Sequence, residues 1–359
     1  MNIAIIPWTK DYEDDRMFDL SDKKLNRDDL MRPYASFRAF FEKRGDTVHT
    51  VDRYGDLTKV DRFLFFEFLP EWIVRLHKAG LDDRMIYCNA EPETVSSLHT
   101  KEGYGKLKKY FPYIMTWNEE VIDNERIFRR IIPYHFEDHS GNVPFSERKL
   151  LCNISGNKFS DSPKELYGER RRIIRYFEKH FPEGFGLYGT GWSSEEYPSY
   201  LGAPPDKFEV YNRYRFAVCL ENTKNVRGYI TEKIFDCLTA GIVPVYAGAE
   251  NIASVVPKEC FLDYNKIGNP EALSKILTGM SEEEYEGYLS AARDFLKSDI
   301  AKRLDGSVYA SDIQYAIENG RMRGFRIEEK TILKLKAKIL KARISGAVRK
   351  AGKRLLGRA

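Results

Sequence analysis

Residues 211–248 read YNRYRFAVCLENTKNVRGYITEKIFDCLTAGIVPVYAG. Residues 215–220 form an apolar, β-branched and aromatic run, the composition of a buried strand. The run ends in Glu221-Asn222-Thr223, and a polar loop containing Gly228 follows. Thr231 then supplies an N-cap for a helix that begins TEKIFDCLTA. Gly241 closes that helix, and residues 242–246 form the next buried strand. The stretch is therefore a β–loop–α–β unit whose polar residues gather at the strand's C-terminal end and the helix's N-terminus. Open α/β sheets bind ligands at that edge. A helix N-terminus presents unpaired N–H groups and a partial positive charge, both suited to phosphate. Lys233, in the first helical turn, opposes that dipole unless an anion sits beside it, a local conflict of the kind found at functional sites.

The same alternation extends outward in both directions and sets the fold class as α/β. Upstream, strand signals at 3–7, 47–51, 61–68, 84–88 and 113–117 alternate with helical spacing at 34–43 and 71–79. Around 135–147 the pattern breaks into His, Gly, Asn and Pro, which marks a domain boundary. The alternation restarts with a strand at 150–154, an Arg-rich helix at 163–180 and a strand at 185–189. Beyond the central unit come a strand at 260–264 and helices over 270–304. The expected organisation is a first Rossmann-like domain at 1–145, a second at 146–328 and a basic tail at 329–359.

The central stretch resembles the donor-binding motif of the α-1,3-fucosyltransferases of glycosyltransferase family 10, in their soluble or peripheral bacterial form. The residues that carry the resemblance are Leu220-Glu221-Asn222, Tyr229-Ile230-Thr231-Glu232-Lys233 and Val243-Pro244-Val245. Leu220 stands where that family has Phe. The resemblance implies a GT-B fold, two Rossmann-like domains facing across a cleft. It also implies GDP-fucose as donor and inverting transfer of L-fucose to a hydroxyl of a surface glycan or lipopolysaccharide, O3 of GlcNAc or Glc being the expected target and an α-1,4 linkage the alternative. No cofactor is expected, and no divalent metal is needed for the chemistry.

Sugar transfer without a metal leaves the diphosphate to Arg, Lys and helix-terminal N–H groups. Lys233 is one candidate. Arg170 is a second, by resemblance to a family helix, with Arg171 and Arg172 as adjacent alternatives. Glu91, in CNAEPETV after the strand at 85–88, is the candidate base, and Glu93 is its rival. By resemblance, Glu232 would balance charge near the fucose, and Asn222 and Tyr229 would orient the donor. The pairs Asp14-Asp15, Asp28-Asp29 and Asp82-Asp83 read as turns and caps. His135 and His139, four apart, are flanked by Pro133 and Gly141 and read as unsuited to a metal.

Composition bounds the alternatives. The 359 residues carry a net charge of +4, but residues 330–359 hold eleven Lys or Arg and no acid, leaving 47 basic and 54 acidic residues elsewhere. The basic excess is confined to one end, so nucleic acid is not an expected partner. Cys88, Cys152, Cys219, Cys237 and Cys260 are scattered, without CxxC or zinc-like spacing, and read as free thiols in a reducing cytosol. The N-terminus does not read as a signal peptide, and no run of about eighteen apolar residues occurs. In the tail, Ile332, Leu335, Ile339, Ile344, Val348 and Leu355 fall near one helical face with Lys and Arg on the other. That pattern suits an interfacial helix on anionic lipid, or a helix docked on the protein's own acidic body. The expected location is cytoplasmic, peripheral to the inner membrane. Two rival readings keep other features: a GT-B enzyme with a different nucleotide sugar, and a non-catalytic binder of membrane or nucleic acid acting through the tail.

Overall fold

The computed structural model describes residues 1–319 and 324–356. Among them the strands build two all-parallel sheets. The first contains β1 (Asn2–Ile6), β2 (Thr47–Thr50), β3 (Arg62–Phe65), β4 (Met85–Cys88), β5 (Tyr113–Thr116) and β6 (Ile127–Arg129), in the order β2-β1-β3-β4-β5-β6. Helices α1 (Arg32–Glu42), α2 (Pro70–Lys78) and α3 (Lys101–Leu107) lie between its strands in sequence. The second contains β7 (Lys149–Ile154), β8 (Phe185–Tyr188), β9 (Tyr214–Leu220), β10 (Val243–Ala247) and β11 (Leu262–Asp263), in the order β11-β10-β9-β7-β8. Its helices are α4 (Tyr167–His180), α5 (Lys207–Tyr211), α6 (Glu232–Thr239), α7 (Tyr264–Ile267), α8 (Pro270–Gly279) and α9 (Glu282–Leu296). This is the GT-B architecture.

Helices and loops cover both faces of each sheet, which is why the strands read as continuous apolar runs rather than alternating ones. Every residue of β3, β4 and β8 is buried. Each sheet separates two apolar clusters. The strand order reverses between β1 and β3 in the first sheet and between β7 and β9 in the second. At such reversals the flanking loops diverge and leave a crevice beyond the strands' carboxyl ends.

The chain crosses between the domains twice, side by side. The Tyr134 N–H donates to the Leu304 carbonyl at 2.9 Å, and Tyr134 and Asp305 form a parallel bridge. The return crossing, which follows α10 (Asp299–Lys302), corrects the expected domain limits. Residues 306–319 were expected in the second domain, but α11 (Gly306–Asn319) packs on α1 and the first sheet, burying Tyr309, Ile313 and Ile317 against Phe37 and Phe41. The apolar stripe of α11 is legible in sequence; which of two cores it fills is not.

The tail is corrected in the same way. Helix α12 (Glu329–Leu356) does not offer its first apolar residues to lipid. Ile332 and Leu335 are fully buried beside Ile73 and Leu76 of α2, and Ile339 packs at the edge of the same cluster. Buried Asp82 anchors the approach: it meets His77 at 2.7 Å, Arg326 at 3.1 Å and the Ile327 N–H at 3.3 Å. Further along, Arg343 pairs with Glu71 at 2.8 Å. Leu333, Leu340 and Ile344 face outward and are more than half exposed. Val348 and Leu355 lie outside the described side chains. Among the described residues no helix is long and apolar enough to cross a membrane.

A docked α12 makes a definite prediction. Leu335→Ala should destabilise the protein by about 2–5 kcal/mol in urea unfolding, the usual cost of a buried leucine truncation. Leu340→Ala, on the outer face, should change stability by no more than about 0.5 kcal/mol. Equal, negligible effects would mean that α12 is undocked in solution.

Candidate active site

The site grows from the carboxyl end of β9. Glu221 continues the strand by donating its N–H to the Ala247 carbonyl at 2.8 Å, and its side chain is fully buried. A buried carboxylate must be paired or hydrogen-bonded, and this one is both. It accepts from the Thr231 N–H at 2.8 Å and the Thr231 hydroxyl at 2.7 Å, and it pairs with Lys233 Nζ at 3.2 Å. Thr231 is the N-cap of α6, as its sequence position implied. Glu221 therefore clamps the start of α6 to the end of β9. Gly248 leaves room for it: a Cβ there would lie 2.5 Å from Glu221 Cγ.

Lys233 is held rather than free. Its Nζ also reaches the Thr231 hydroxyl at 3.0 Å and Glu232 at 3.5 Å, while part of the side chain stays accessible. Burial opposes its charge, but Glu232 and Glu221 outweigh burial and hold the ammonium protonated well above the usual lysine range. Burial raises the Glu221 carboxyl, and Lys233 offsets part of that. For Glu232, half-exposed at the mouth, burial is outweighed by Lys233 and by its own N–H, and the carboxyl is lowered.

The three arginines of α4 have three different fates. Arg170 is buried and donates to the carbonyls of Leu220 at 2.6 Å and Glu221 at 3.3 Å, so it braces the β9 end. Arg171 props the loop after β7, donating to the Lys158 carbonyl at 2.7 Å and lying over Phe159. Arg172 is exposed and pairs with Glu169. Asn153 Oδ1 near the end of β7 and Asn157 Oδ1 in the loop that follows are buried without a hydrogen-bond partner among the described residues. They are acceptors at the β7/β9 crevice, available to N–H or O–H groups of a ligand.

Glu91 enters from the first domain. The Glu91 N–H donates to Asn89 Oδ1 at 3.1 Å, Asn89 Nδ2 reaches the Tyr104 hydroxyl at 2.6 Å, and Trp117 Nε1 holds the Ala90 carbonyl at 2.9 Å. The Glu91 carboxyl is raised, first by burial; Lys158 and Lys233 pull it down and Glu232 pushes it up. One carboxylate of the first domain thus shares a field with three charged groups of the second. Glu93 points elsewhere, accepting from the Ser162 hydroxyl at 3.3 Å with Lys164 Nζ 4.0 Å away. Glu67, just past β3, is also raised, by burial and then by Glu91.

Tyr229 is buried, its ring 4.6 Å from that of Trp117 of the first domain. Burial and then Glu221, Glu91 and Glu232 raise its phenol. Gly228 adopts φ +87°, and a Cβ there would lie 2.2 Å from the Trp117 carbonyl. Glycine is therefore required where the two domains touch. Arg227 pairs with Glu119 at 3.4 Å beside this contact. Asn222 is half-buried at the β9 end, its carbonyl accepting from the Leu166 N–H at 3.3 Å.

The structure therefore places Glu91, Glu232, Asn222 and Lys233 around one corner between the domains, with Arg170 and Tyr229 buried there. Sequence reasoning gave no role to Glu221, Lys158, Asn153 or Trp117. Glu221 had a signal, its place between an apolar strand and the helix cap; Lys158 sits in a loop with none. Asp14 and Asp15 pair with Arg53 and His49, as turn residues do. His139 stacks on Phe208 while His135 faces Asp305. Among the described residues no group of three or more His, Cys, Asp or Glu is placed to hold a metal ion.

Residues 148–305 match the C-terminal model of glycosyltransferase family 10 (fucosyltransferase). The matched span holds β7 to β11 and the whole Glu221–Lys233 clamp. Among curated proteins, an alpha-(1,4)-fucosyltransferase of Arabidopsis thaliana is 35% identical over 72 residues, covering 20% of this chain and 18% of that one. The alpha-(1,3)-fucosyltransferase FucT of Helicobacter pylori is 30% identical over 105 residues, covering 29% and 20%. The matches span less than half the length of these curated relatives. A crystal structure of an alpha1,3-fucosyltransferase with GDP-fucose superposes with a TM-score of 0.51 at 16% identity, over 89% of this chain and 90% of that one.

One titration tests the scaffold of the Glu91 loop. His99 is buried with Nε2 2.9 Å from the Tyr87 hydroxyl, and burial lowers it to about 4. The unfolded chain then takes up a proton before the folded one does, so stability present above pH about 6.5 is lost as pH falls toward 4. Between pH 7.5 and 5 wild type should lose about 2 kcal/mol more than His99→Gln in urea unfolding. Parallel pH profiles would show that His99 is not held neutral.

Proposed function

We propose that the chain is an inverting fucosyltransferase of family 10 that moves L-fucose from GDP-fucose to a hydroxyl of a glycan, O3 of GlcNAc or Glc. The observation that carries this reading is that Glu91 of the first domain lies within electrostatic reach of Lys158, Glu232 and Lys233, at the switch-point edge of a domain that matches the fucosyltransferase model. Inversion calls for a base on one side of the reacting carbon and charge neutralisation on the other. Glu91 takes the proton of the acceptor hydroxyl as its oxygen bonds to C1 of fucose. The bond from C1 to the diphosphate oxygen breaks, and GDP leaves with the electron pair. Lys233, Arg170 and the first N–H groups of α6 take up the negative charge of the departing diphosphate. Glu232 balances the positive charge that builds on the sugar. Asn222 and Tyr229 orient the donor. No metal enters this scheme, since fixed cations do its work.

The raised Glu91 carboxyl supports the role of base, because a base is useful when its pKa lies closer to the working pH. We assign the α-1,3 linkage as the first reading; the relatives' names include both α-1,3 and α-1,4. We also propose a cytoplasmic enzyme held at the inner face of a membrane, with the outward residues Leu333, Leu340 and Ile344 of α12 as the contact.

Calorimetric titration with GDP-fucose, with and without EDTA, tests the donor and the metal together. Wild type should bind GDP-fucose in EDTA and ignore UDP-galactose; the reverse preference would replace this reading with the rival nucleotide sugar. Lys233→Ala should weaken GDP-fucose binding by about tenfold or more, the value of a charge-assisted contact. Glu91→Gln should retain donor binding yet lower kcat by about 10²–10⁴, the range for a lost general base. Turnover like wild type in Glu91→Gln would remove it from the mechanism.

A further inference from the structure

A groove of about 1230 Å³ runs along the first domain, away from the Glu221–Lys233 clamp. Its floor is apolar and aromatic: Trp8, Phe68, Trp72, Tyr110, Phe325 and Ile339. Nine Lys or Arg and three Glu line it among the described residues. Glu71 and Glu328 are already paired, with Arg343 and Lys330. Lys10, Lys106, Lys109, Lys334 and Lys338, by contrast, form no ion pair among the described residues. The volume exceeds the roughly 300–1,000 Å³ typical of a drug-sized ligand pocket.

The groove's position in the fold is as informative as its composition. Trp8 follows the carboxyl end of β1, and Phe68 follows that of β3. These strands flank the reversal point of the first sheet, where α/β domains receive ligands. Leu98, which also lines the groove, lies in the loop that carries Glu91. Glu67, the residue before Phe68, senses the charge of Glu91. The groove therefore lies along the same carboxyl edge of the first sheet that carries Glu91 after β4.

An aromatic floor suits a hydrocarbon occupant, and a rim of lysines with no ion pair among the described residues suits an anion beside it. We propose that the groove holds the aglycone of the acceptor: a hydrocarbon chain joined through phosphate to the glycan, with the sugar directed at Glu91. This rests on the transferase reading above and narrows its acceptor to a phosphate-bearing amphiphile. Helix α12 then serves as the groove's outer wall, with Lys334 and Lys338 facing the phosphate and Ile339 the chain.

The test uses the full chain and dodecyl phosphate below its micelle limit, followed by tryptophan fluorescence, with Trp8 and Trp72 as reporters. Wild type should bind dodecyl phosphate at least about tenfold more tightly than neutral dodecyl maltoside. The double variant K334E/K338E should lose that preference while binding GDP-fucose like wild type in calorimetry. In transfer assays, N-acetyllactosamine linked through phosphate to dodecanol should exceed its plain dodecyl glycoside in kcat/KM. That advantage should vanish in K334E/K338E, with transfer to free N-acetyllactosamine unchanged. Equal binding of the two detergents, or a preference that survives in the variant, overturns the proposal. So does a third result: no binding of monomeric dodecyl phosphate, but capture of phosphatidylglycerol vesicles that the variant releases. The groove would then be a membrane-attachment surface. The detergent titration does not depend on fucosyl transfer, so a wrong donor and a wrong acceptor class give different failures.

Discussion

The structure turns on one buried carboxylate. Glu221 sits where β9 ends and α6 begins, with no exposed surface, and its two oxygens satisfy the Thr231 N–H, the Thr231 hydroxyl and Lys233. Removing such a partner leaves an uncompensated charge indoors, which typically costs several kcal/mol. The clamp fixes the direction of the α6 N-terminus, and with it the N–H groups and the ammonium that face the cleft. Arg170 secures the same strand end through two carbonyls, so β9, α4 and α6 are tied at one corner.

That corner reaches the first domain through a contact with little tolerance. The Gly228 backbone lies on the Trp117 carbonyl, Tyr229 packs on the Trp117 ring, and Glu119 meets both Arg227 and Asn251. Trp117 in turn holds Ala90, beside Glu91. A short chain of contacts therefore links the clamp to the carboxylate opposite. The return of α11 and α12 to the first domain adds a second tie between the halves. The C-terminal helices complete the first domain's two cores rather than extending the second domain.

Charge and apolar surface divide the work between the halves. The second domain's edge gathers Lys158, Lys233 and Arg170 near two asparagine oxygens that have no hydrogen-bond partner among the described residues. The first domain's carboxyl edge carries a raised carboxylate and, along the same edge, a lysine-rimmed aromatic groove. Both lie on the carboxyl edge of a sheet whose strand order reverses, so the topology that buries two parallel sheets also leaves these two crevices.

The sequence by itself determined the α/β class, the strand–helix alternation and the corner from Arg215 to Val245. Those features are local: apolar runs, a Thr N-cap and a Gly stop act within a few residues of one another. The same stretch also holds Asn222, Tyr229, Glu232 and Lys233, which lie close together in the chain. Tertiary structure alone decided which domain receives α11, that Ile332 and Leu335 of the tail fill the α2 core, and which of Arg170, Arg171 and Arg172 turns inward. It also decided that Lys158 joins the charges around Glu91 and that Lys233 is shared between two carboxylates. Amphipathic patterns state that a face will be buried but not against what. The partner is set by packing between segments as far apart as Ile73 and Leu335, and by the burial of charges that no sequence window contains.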